Sequence, residues 1–506
     1  IELFFKSLSC NGVEPRIKYL LKLFSRKKSE SMAIILELLI ILFSELSKKS
    51  GLSLSYLNEI EKGKKFPKPE KIESLAKCFN VRLESLLSEE LDGALAPVSD
   101  LLKSDFLKEL PLDLFGIEIT KIVEIISIAP KRVGAFISTL VEIARNHAYV
   151  EENFYLGALR SFLEMHLNYF EDIESSAMKF RAENDIPSEE FIHADLLANL
   201  LEKLFNYDLD KGGLDQFPEL NSLRALYVPK SKSLLLNGNL TPNQMAFQFG
   251  KELGFSYLKL KQRANTSSLM KINSFEEVLA HFKAAYFSAA LLMPLDPVKA
   301  YLEEFLGQER FSTTFISQVM NDFGASAEMV FQRMTNILPS HLGLRKIYFF
   351  RFISQADSLN YVVDKELHLD GKHTPHSNRI DETYCRRWLS IKMLDQLKTS
   401  DSSLEIGAQI SSYYGSSDEY LIISIVKKDL KSSSKYIGLS LGILLDANSR
   451  SKIGFIDDPE IPRMVVNTTC ERCSISDCKE RKAEPTKYLE KLEKKRVSKV
   501  LEDLLK

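Results

Sequence analysis

Apolar residues recur at helical spacing over much of the chain. Between about residues 110 and 215 they return every three or four positions, as in Phe154, Ala158 and Phe162. The same spacing resumes from Pro242 to about Leu338, and the chain ends in a charged amphipathic stretch from Thr486. Apolar positions one helical turn apart form one side of a helix, so these stretches predict amphipathic helices.

A second pattern, rich in aromatic and β-branched residues, predicts strands. Two short runs flank Pro229-Lys230-Ser231, which is typical of a hairpin turn, and four further runs follow residue 345. The predicted strands are Leu223–Val228, Ser233–Leu236, Lys346–Ile353, Leu359–Val363, Tyr420–Val426 and Lys435–Leu444.

These patterns predict a mainly α protein with an α+β C-terminal part. A chain of 506 residues is long enough for about three domains. We expect a helix-turn-helix head, a helical middle that includes a peptidase-like domain, and a mixed, sensor-like C-terminal domain. The predicted segments are 1–42 (atypical N-terminal segment), 43–90 (helix-turn-helix), 91–110 (linker), 111–215 (helical domain), 216–345 (degenerate peptidase-like domain), 346–485 (α+β domain with a cysteine cluster) and 486–506 (C-terminal helix).

The composition gives the chain no overall positive charge that would attract nucleic acid. Lys and Arg number 67 against 69 Asp and Glu, so a nucleic-acid site has to be a local basic patch. Six cysteines are too few for a disulfide scaffold, which favours ligand chemistry in the cytosol. The basic residues at 26–28 and the apolar run Ala33–Phe43 resemble a signal peptide. No small-residue cleavage site follows and the run is too short to span a bilayer, so we expect a cytoplasmic protein without membrane contact.

The segment from Phe43 to Leu87 carries the most specific motif. Gly51 ends one short predicted helix, and Ser53 is placed to cap the next. The string "GLSLSYLNEIEKGKKFPKPEKIESLAKCFNV" resembles the lambda-repressor-like (Xre-type) helix-turn-helix family. The resemblance implies that this second helix enters the major groove of duplex DNA. The residues implied in base or phosphate contacts are Ser53, Ser55, Tyr56, Asn58 and Glu59, with Lys62, Lys64 and Lys65 on phosphate.

The motif departs from that family at its first helix. The family has a charged first helix and a Ser-Gln pair that opens the second, whereas this chain has the apolar run Ile34–Leu42 followed by Phe43. The alternative interpretation of the motif is a helical hairpin that binds protein.

Residues 242–294 resemble the ImmA/IrrE metallopeptidase family. That family carries His-Glu-x-x-His on one helix and a Leu-Leu-Met-Pro string after the next; here Leu291-Leu292-Met293-Pro294 is present. Lys251 and Phe255 occupy the two histidine positions, and the third ligand falls near His281 or Lys283. Because phenylalanine has no ligand atom and an ammonium repels a cation, we predict no zinc hydrolase activity. We expect Glu252 to pair with a nearby lysine.

Cysteines near the C-terminus form a C-x2-C-x4-C motif. Cys470, Cys473 and Cys478 can supply three thiolates to one metal centre, and Cys385 is the best candidate for a fourth. His373 and His376 are weaker candidates. The alternative is three reduced cysteines on an exposed loop.

The order of helix-turn-helix, peptidase-like region and "CERCSISDCKERKAEP" resembles the short-chain fatty-acyl transcriptional regulators. That resemblance implies a short-chain acyl-CoA ligand and a four-iron (4Fe–4S) cluster on Cys385, Cys470, Cys473 and Cys478, with zinc as the alternative. The "LRSFLEMHLNYFEDIE" stretch is predicted to be a helix polar enough to line the ligand pocket, although it also fits an ordinary amphipathic helix. Its candidate ligand residues are Arg160, Glu164, His166, Asn168 and Tyr169.

The sequence thus favours a ligand-responsive, sequence-specific DNA-binding regulator. Because helix-turn-helix domains of this type bind paired DNA half-sites, we expect a homodimer. The competing hypotheses are a metallopeptidase of the ImmA/IrrE type that cleaves a repressor, and an adaptor that does not bind DNA.

Overall fold

The computed structural model describes residues 46–61, 65, 67–79, 151–187, 191–268, 274–369, 382–429 and 432–505. The chain divides into two units, Ile1–Phe154 and Tyr155–Lys506. The atypical segment 1–42, the linker 91–110 and the first part of the predicted helical domain lie outside the described residues.

The described part of the first unit is helical. Residues 46–50 form the end of one helix, and α1 (Leu54–Glu61) and α2 (Pro69–Phe79) follow it. Leu52, Leu57 and Leu75 are buried together, with Leu46 and Tyr56 packed against them. This small apolar cluster holds the three helical segments together.

The second unit begins with helices and a small sheet. These are α3 (Glu151–Met165, which starts in the first unit), α4 (Glu171–Glu183), α5 (Ala194–Phe205), β1 (Asp208–Asp210), β2 (Ala225–Val228) and β3 (Ser233–Leu236). The predicted hairpin is confirmed, since β2 and β3 are antiparallel. The prediction missed β1, which pairs in parallel with β3, because a three-residue strand leaves no period to detect.

Five helices follow, as the spacing from Pro242 onward predicts. They are α6 (Pro242–Tyr257), α7 (Phe275–Leu292), α8 (Leu295–Gly307), α9 (Thr314–Asp322) and α10 (Ala327–His341). Thr241 caps α6 in a capping box with Gln244. A side chain at Gly254 would lie 3.0 Å from the Ala284 carbonyl oxygen, so this glycine lets α6 and α7 pack closely.

A six-stranded sheet forms the C-terminal part, in the order β5-β4-β8-β7-β6-β9. The strands are antiparallel except that β9 is parallel to β6. Helix α11 packs on the sheet through Ile391, Leu394 and Leu397. The elements are β4 (Ile347–Gln355), β5 (Tyr361–His368), α11 (Leu389–Thr399), β6 (Leu404–Tyr413), β7 (Glu419–Asp429), β8 (Ser432–Leu444), α12 (Ala447–Lys452), β9 (Arg463–Val466) and α13 (Thr486–Leu504).

This architecture confirms the predicted fold class, a mainly α protein with a sheet-containing C-terminal region. Four predicted strands correspond to β4, β5, β7 and β8, whereas β6 and β9 were not predicted. Within the described ranges no single helix is long and apolar enough to cross a membrane. Only α7 and α8 taken together meet that test, and they are bent by 72°.

Candidate functional site

The turn before α1 has the geometry that its sequence predicts. Gly51 donates its backbone N–H to the Ser47 carbonyl (3.0 Å) and has a φ of +69°, a conformation that favours glycine. The Ser53 hydroxyl accepts a hydrogen bond from the Tyr56 backbone N–H at 3.2 Å and so caps α1. Because Leu52 and Leu57 face the core, the opposite side of α1 faces outward.

The outward side of α1 is polar and largely accessible. Ser55 is exposed, and Glu59 forms a surface ion pair with Lys65 at 3.4 Å. Tyr56 is only half-buried: its hydroxyl accepts from the Lys68 backbone N–H (3.2 Å), and the Lys65 ammonium lies 5.1 Å from its ring centre. Lys62, Lys64 and the side chain of Asn58 lie outside the described residues.

Two basic side chains, Lys251 and Arg263, lie around the positions that the sequence analysis compared with zinc ligands. The Lys251 ammonium donates to the Ser267 carbonyl at 3.0 Å and lies 3.0 Å from Nε2 of His281. The Arg263 guanidinium donates to both carboxylate oxygens of Glu252 (2.8 and 2.9 Å) and is sandwiched by aromatic rings, 4.1 Å from the centres of Phe255 and Tyr227. The expected partner of Glu252 was a lysine, and this is wrong, because the planar guanidinium stacks between rings and still reaches the carboxylate.

Burial dominates the electrostatics of this position. It lowers the pKa of Lys251 to about 7, helped by nearby Arg263 and opposed by Glu252. Burial, followed by the charge of Lys251, also holds the pKa of His281 well below its usual range. The Glu252 carboxylate accepts a third hydrogen bond from the Tyr207 hydroxyl at 3.0 Å. Arg263 and Tyr207 together therefore fix the orientation of the Glu252 carboxylate.

Backbone pairing brings Cys385 close to the C-terminal cysteine motif. The Cys385 N–H donates to the Thr468 carbonyl (3.1 Å) and the Cys470 N–H to the Thr383 carbonyl (2.8 Å), around a bridge between Tyr384 and Thr469. Cys385, Cys470 and Cys473 are buried, and Cys478 is partly exposed. Cys385 therefore lies beside the motif, although it is 85 residues away from Cys470 in the sequence.

The loop that carries the motif is held from inside by Arg481. Its guanidinium donates to the carbonyls of Cys470 (2.8 Å), Cys473 (3.1 Å) and Ile475 (2.6 Å). The Lys482 N–H approaches the Cys470 sulfur at 3.5 Å.

The thiol of Cys385, like the Cys470 sulfur, lies near backbone N–H groups. Burial raises its pKa, backbone N–H groups of Asn467 and Arg387 oppose that rise, and the nearby Cys470 and Cys473 add to it. Amide donors to sulfur and neighbouring thiols suit a metal-bound thiolate centre. Among the described residues, no three His, Cys, Asp or Glu side chains converge closely enough to hold a single metal ion.

Two parts of the chain match known families. Residues 42–86 match the helix-turn-helix family, and residues 210–335 match the IrrE N-terminal-like domain family. The chain therefore contains a helix-turn-helix region and an IrrE-like region. No curated protein matches the sequence. A solved Mycobacterium tuberculosis transcriptional regulator is similar over 64% of this chain and 93% of its own, with 18% identity and a TM-score of 0.47.

The predicted ligand helix is two helices. The IrrE-like region is preceded by α3, which ends at Met165, and α4 begins at Glu171. Between them Leu167 and Asn168 have φ of 51° and 53°, and the Asn168 N–H closes the end of α3 on the Leu163 carbonyl. Helical spacing across this break suggested one continuous helix, which is wrong because the left-handed turn is set by local backbone geometry.

All five candidate ligand residues interact with other parts of the protein. Arg160 pairs with Glu366 at 2.6 Å, and the Asn168 amide donates to Thr335 at 2.9 Å. The His166 Nδ1 lies 2.8 Å from the Phe162 carbonyl, and Tyr169 donates to Glu171 at 2.6 Å. Glu164, the fifth candidate, also has an interaction within the protein.

Sequence reasoning missed Arg263 as a site residue. It follows the end of α6, outside the peptidase-like motif, so no spacing rule connects it with Glu252. Only the abnormal pair Lys251 and Phe255 signalled that the site had been rebuilt.

Proposed function

We propose that this protein is a cytoplasmic, sequence-specific DNA-binding transcriptional regulator. The observation that carries the proposal is α1, which is capped by Ser53 and anchored by Leu57, and which presents Ser55 and Glu59 to solvent within the helix-turn-helix match. Such a helix is the element that enters the major groove in this family.

The contacts divide into two kinds. Ser53, Ser55, Tyr56, Asn58 and Glu59 lie on or beside the leading turns of α1 and are proposed to meet base edges and phosphates. The lysines that follow α1, Lys62, Lys64 and Lys65, are proposed to contact phosphate and add affinity without sequence information.

Site selection from random duplexes, followed by fluorescence anisotropy at several salt concentrations, tests this proposal. Lys65→Gln removes one phosphate contact and is expected to reduce the slope of log K against log salt by about one. Lys77→Gln is the matched control, because Lys77 also pairs with a surface glutamate (Glu73, 2.8 Å) but lies on α2. Failure of the full chain to select any sequence, even at low salt, would favour the adaptor hypothesis.

We propose that the IrrE-like region does not hydrolyse peptides. The alternative, a metallopeptidase acting on a repressor, needs zinc ligands and a free general base. Lys251 and Phe255 replace two ligands, and Arg263 engages Glu252. One equivalent of zinc bound in this region, together with cleavage of a repressor that Glu252→Gln abolishes, would instead establish the peptidase.

We propose a four-iron cluster on Cys385, Cys470, Cys473 and Cys478, with zinc as the alternative. Backbone pairing places Cys385 beside the motif that carries the other three cysteines, and thiolates with amide donors nearby fit both. A cluster would supply redox chemistry or lock this loop to the sheet. Anaerobic purification with iron, sulfide and zinc analysis distinguishes the two, and Cys470→Ser is expected to lose the metal. Cys78→Ser on α2 is the control, since Cys78 lies outside the motif.

The effector is proposed to be a short-chain acyl-CoA or a related metabolite. Its support is the resemblance of domain order and cysteine string to the short-chain fatty-acyl regulators, with Arg160, Glu164, His166, Asn168 and Tyr169 as candidate contacts. A ligand acts only if its affinity differs between DNA-competent and incompetent states. Titrating acyl-CoA into the DNA complex measures that difference, and an unchanged DNA affinity at saturating acyl-CoA would remove this part of the proposal.

We propose a homodimer that pairs two copies of α13. None of its residues is buried, and Val497, Val500, Leu501 and Leu504 follow at i, i+3, i+4 and i+7 with exposures of 49 to 77%. In an antiparallel pair Val497 can face the partner's Leu504 and Val500 its Leu501. This register is symmetric about a two-fold axis, as a homodimer contact requires.

Light scattering of the full chain tests this arrangement. Leu501→Glu is expected to yield monomers by placing two like charges in the contact, whereas Lys491→Glu on the opposite side of α13 leaves the mass unchanged. Dimers that persist in Leu501→Glu would assign the contact to another surface.

A further inference from the structure

One side of the C-terminal helix α13 carries a row of lysines. Lys487, Lys491, Lys495 and Lys499 follow one another at intervals of four residues, and Lys494 lies beside them. Residues four apart in the sequence lie one turn apart on the same side of a helix. At 1.5 Å for each residue, the five ammonium groups therefore share one surface about 18 Å long. We call this surface the lysine face.

Acidic side chains offset only part of the charge of the lysine face. Glu490 pairs with Lys487 at 3.4 Å, and Glu502 is the second acid that borders this surface. Five positive charges therefore meet two negative ones. Among the residues that the structure describes, four of the ammonium groups have neither an ion pair nor a hydrogen bond, those of Lys491, Lys494, Lys495 and Lys499.

The lysine face is open to solvent. Its side chains line a groove of about 580 Å³, and within the described ranges every residue that lines this groove belongs to α13. From residue 493 to the end of α13 each residue is exposed. No described part of the chain therefore packs against the last three turns of the helix, about 12 residues at 3.6 residues for each turn.

Duplex DNA has the charge pattern that complements this surface. Like charges one helical turn apart destabilise a helix unless an anion offsets them. The lysines of the row are about 6 Å apart, one for each turn, and a duplex carries one phosphate charge for about every 1.7 Å of its axis. Because the whole chain has a net charge of −2, the lysine face is a local basic patch and not the result of a basic composition.

We propose that the lysine face binds the phosphate backbone of duplex DNA, as a contact additional to that of α1. This inference rests on the proposed DNA-binding function, but the lysine contacts themselves require no sequence recognition. The opposite side of α13 carries the exposed apolar residues Val497, Val500, Leu501 and Leu504. Binding of DNA and the proposed pairing of two copies of α13 therefore use different sides of the helix.

Fluorescence anisotropy of the full chain on duplex DNA, over a series of salt concentrations, tests this contact. The double variant Lys491→Gln/Lys495→Gln is expected to reduce the slope of log K against log salt by about two, since it removes two phosphate contacts. Affinity for a selected duplex and for an unrelated one should fall by the same factor, because phosphate contacts carry no sequence information. The double variant Arg310→Gln/Lys346→Gln is the matched control, because its two surface cations pair with Glu460 and Asp446.

The outcomes separate this contact from the proposed function. A salt slope that is the same in wild type and in Lys491→Gln/Lys495→Gln overturns the lysine face, even where the full chain still selects a DNA sequence. Selection of no sequence, together with binding to any duplex that this double variant weakens, would refute the sequence-specific regulator and leave the lysine face in place. Vesicles of phosphatidylcholine and phosphatidylglycerol test the other polyanionic surface. Binding to these vesicles that the double variant abolishes, with its DNA binding unchanged, overturns the proposal in favour of a lipid surface.

Discussion

Replacing the buried Lys251 by methionine should stabilise the protein, and the gain should shrink as the pH rises. The ammonium has a pKa of 10.5 in an unfolded chain but about 7 here, because burial disfavours the charged form. A lysine whose pKa is depressed on folding destabilises the native state fully below pH 7. That destabilisation is relieved between pH 7 and 10.5.

The size of the effect follows from the shift. At about 1.4 kcal/mol for each pKa unit, Lys251 reduces the free energy of unfolding by about 4 kcal/mol at pH 7 and by about 2 kcal/mol at pH 9. Methionine has a similar length but leaves the Ser267 carbonyl without its 3.0 Å donor, a loss of about 1–3 kcal/mol at either pH. The net gain at pH 7 is therefore about 1–3 kcal/mol, and the difference between the two pH values stays about 2 kcal/mol.

Urea unfolding at pH 7, 8 and 9 measures this difference. The fluorescence of Trp388, the chain's single tryptophan, reports on the unit that contains Lys251. Lys495→Met on the exposed surface of α13 controls for the loss of one lysine. A Lys251→Met variant whose stability relative to wild type is the same at pH 7 and pH 9 would falsify the reasoning, since Lys251 would then keep one protonation state throughout.

Three further predictions concern other parts of the molecule. Arg333→Met should lower the free energy of unfolding, measured by chemical denaturation, by about 3–5 kcal/mol, because it leaves Glu174 buried without its bidentate partner. Adding Glu174→Leu should recover most of that loss, and a double variant as unstable as the single one would contradict this. Gly51→Ala should reduce hydrogen-exchange protection of α1 by about fivefold through strain at positive φ, whereas Gly157→Ala within α3, where an added Cβ also meets nothing, should leave protection unchanged or raise it. The double variant Lys251→His/Phe255→His should bind one zinc ion by calorimetry, since His281 lies within reach of position 251. It should gain no peptidase activity, because Arg263 still pairs with Glu252. Phe255→His alone is the control, and hydrolysis by the double variant would show that Arg263 does not block the base.

The sequence by itself determined the elements whose signals are local. Gly51, Ser53 and the apolar positions of α1 act through backbone conformation, capping and a period of 3.6, all of which are readable within a few residues. The predicted hairpin, the helices from Pro242 onward and four strands of the large sheet follow for the same reason. Lys251 and Phe255 predicted the loss of the zinc ligands because metal coordination depends on atom type.

Only the tertiary structure decided what replaced those ligands and which charges meet. Arg263, His281 and Tyr207 reach Lys251 and Glu252 from separate elements, and their contacts depend on how α6 packs on α7 and the small sheet. The break between α3 and α4 and the short strands β1 and β9 likewise leave no local pattern. Long-range packing and electrostatics act through space between residues far apart in the chain, so one sequence shows their participants without showing their arrangement.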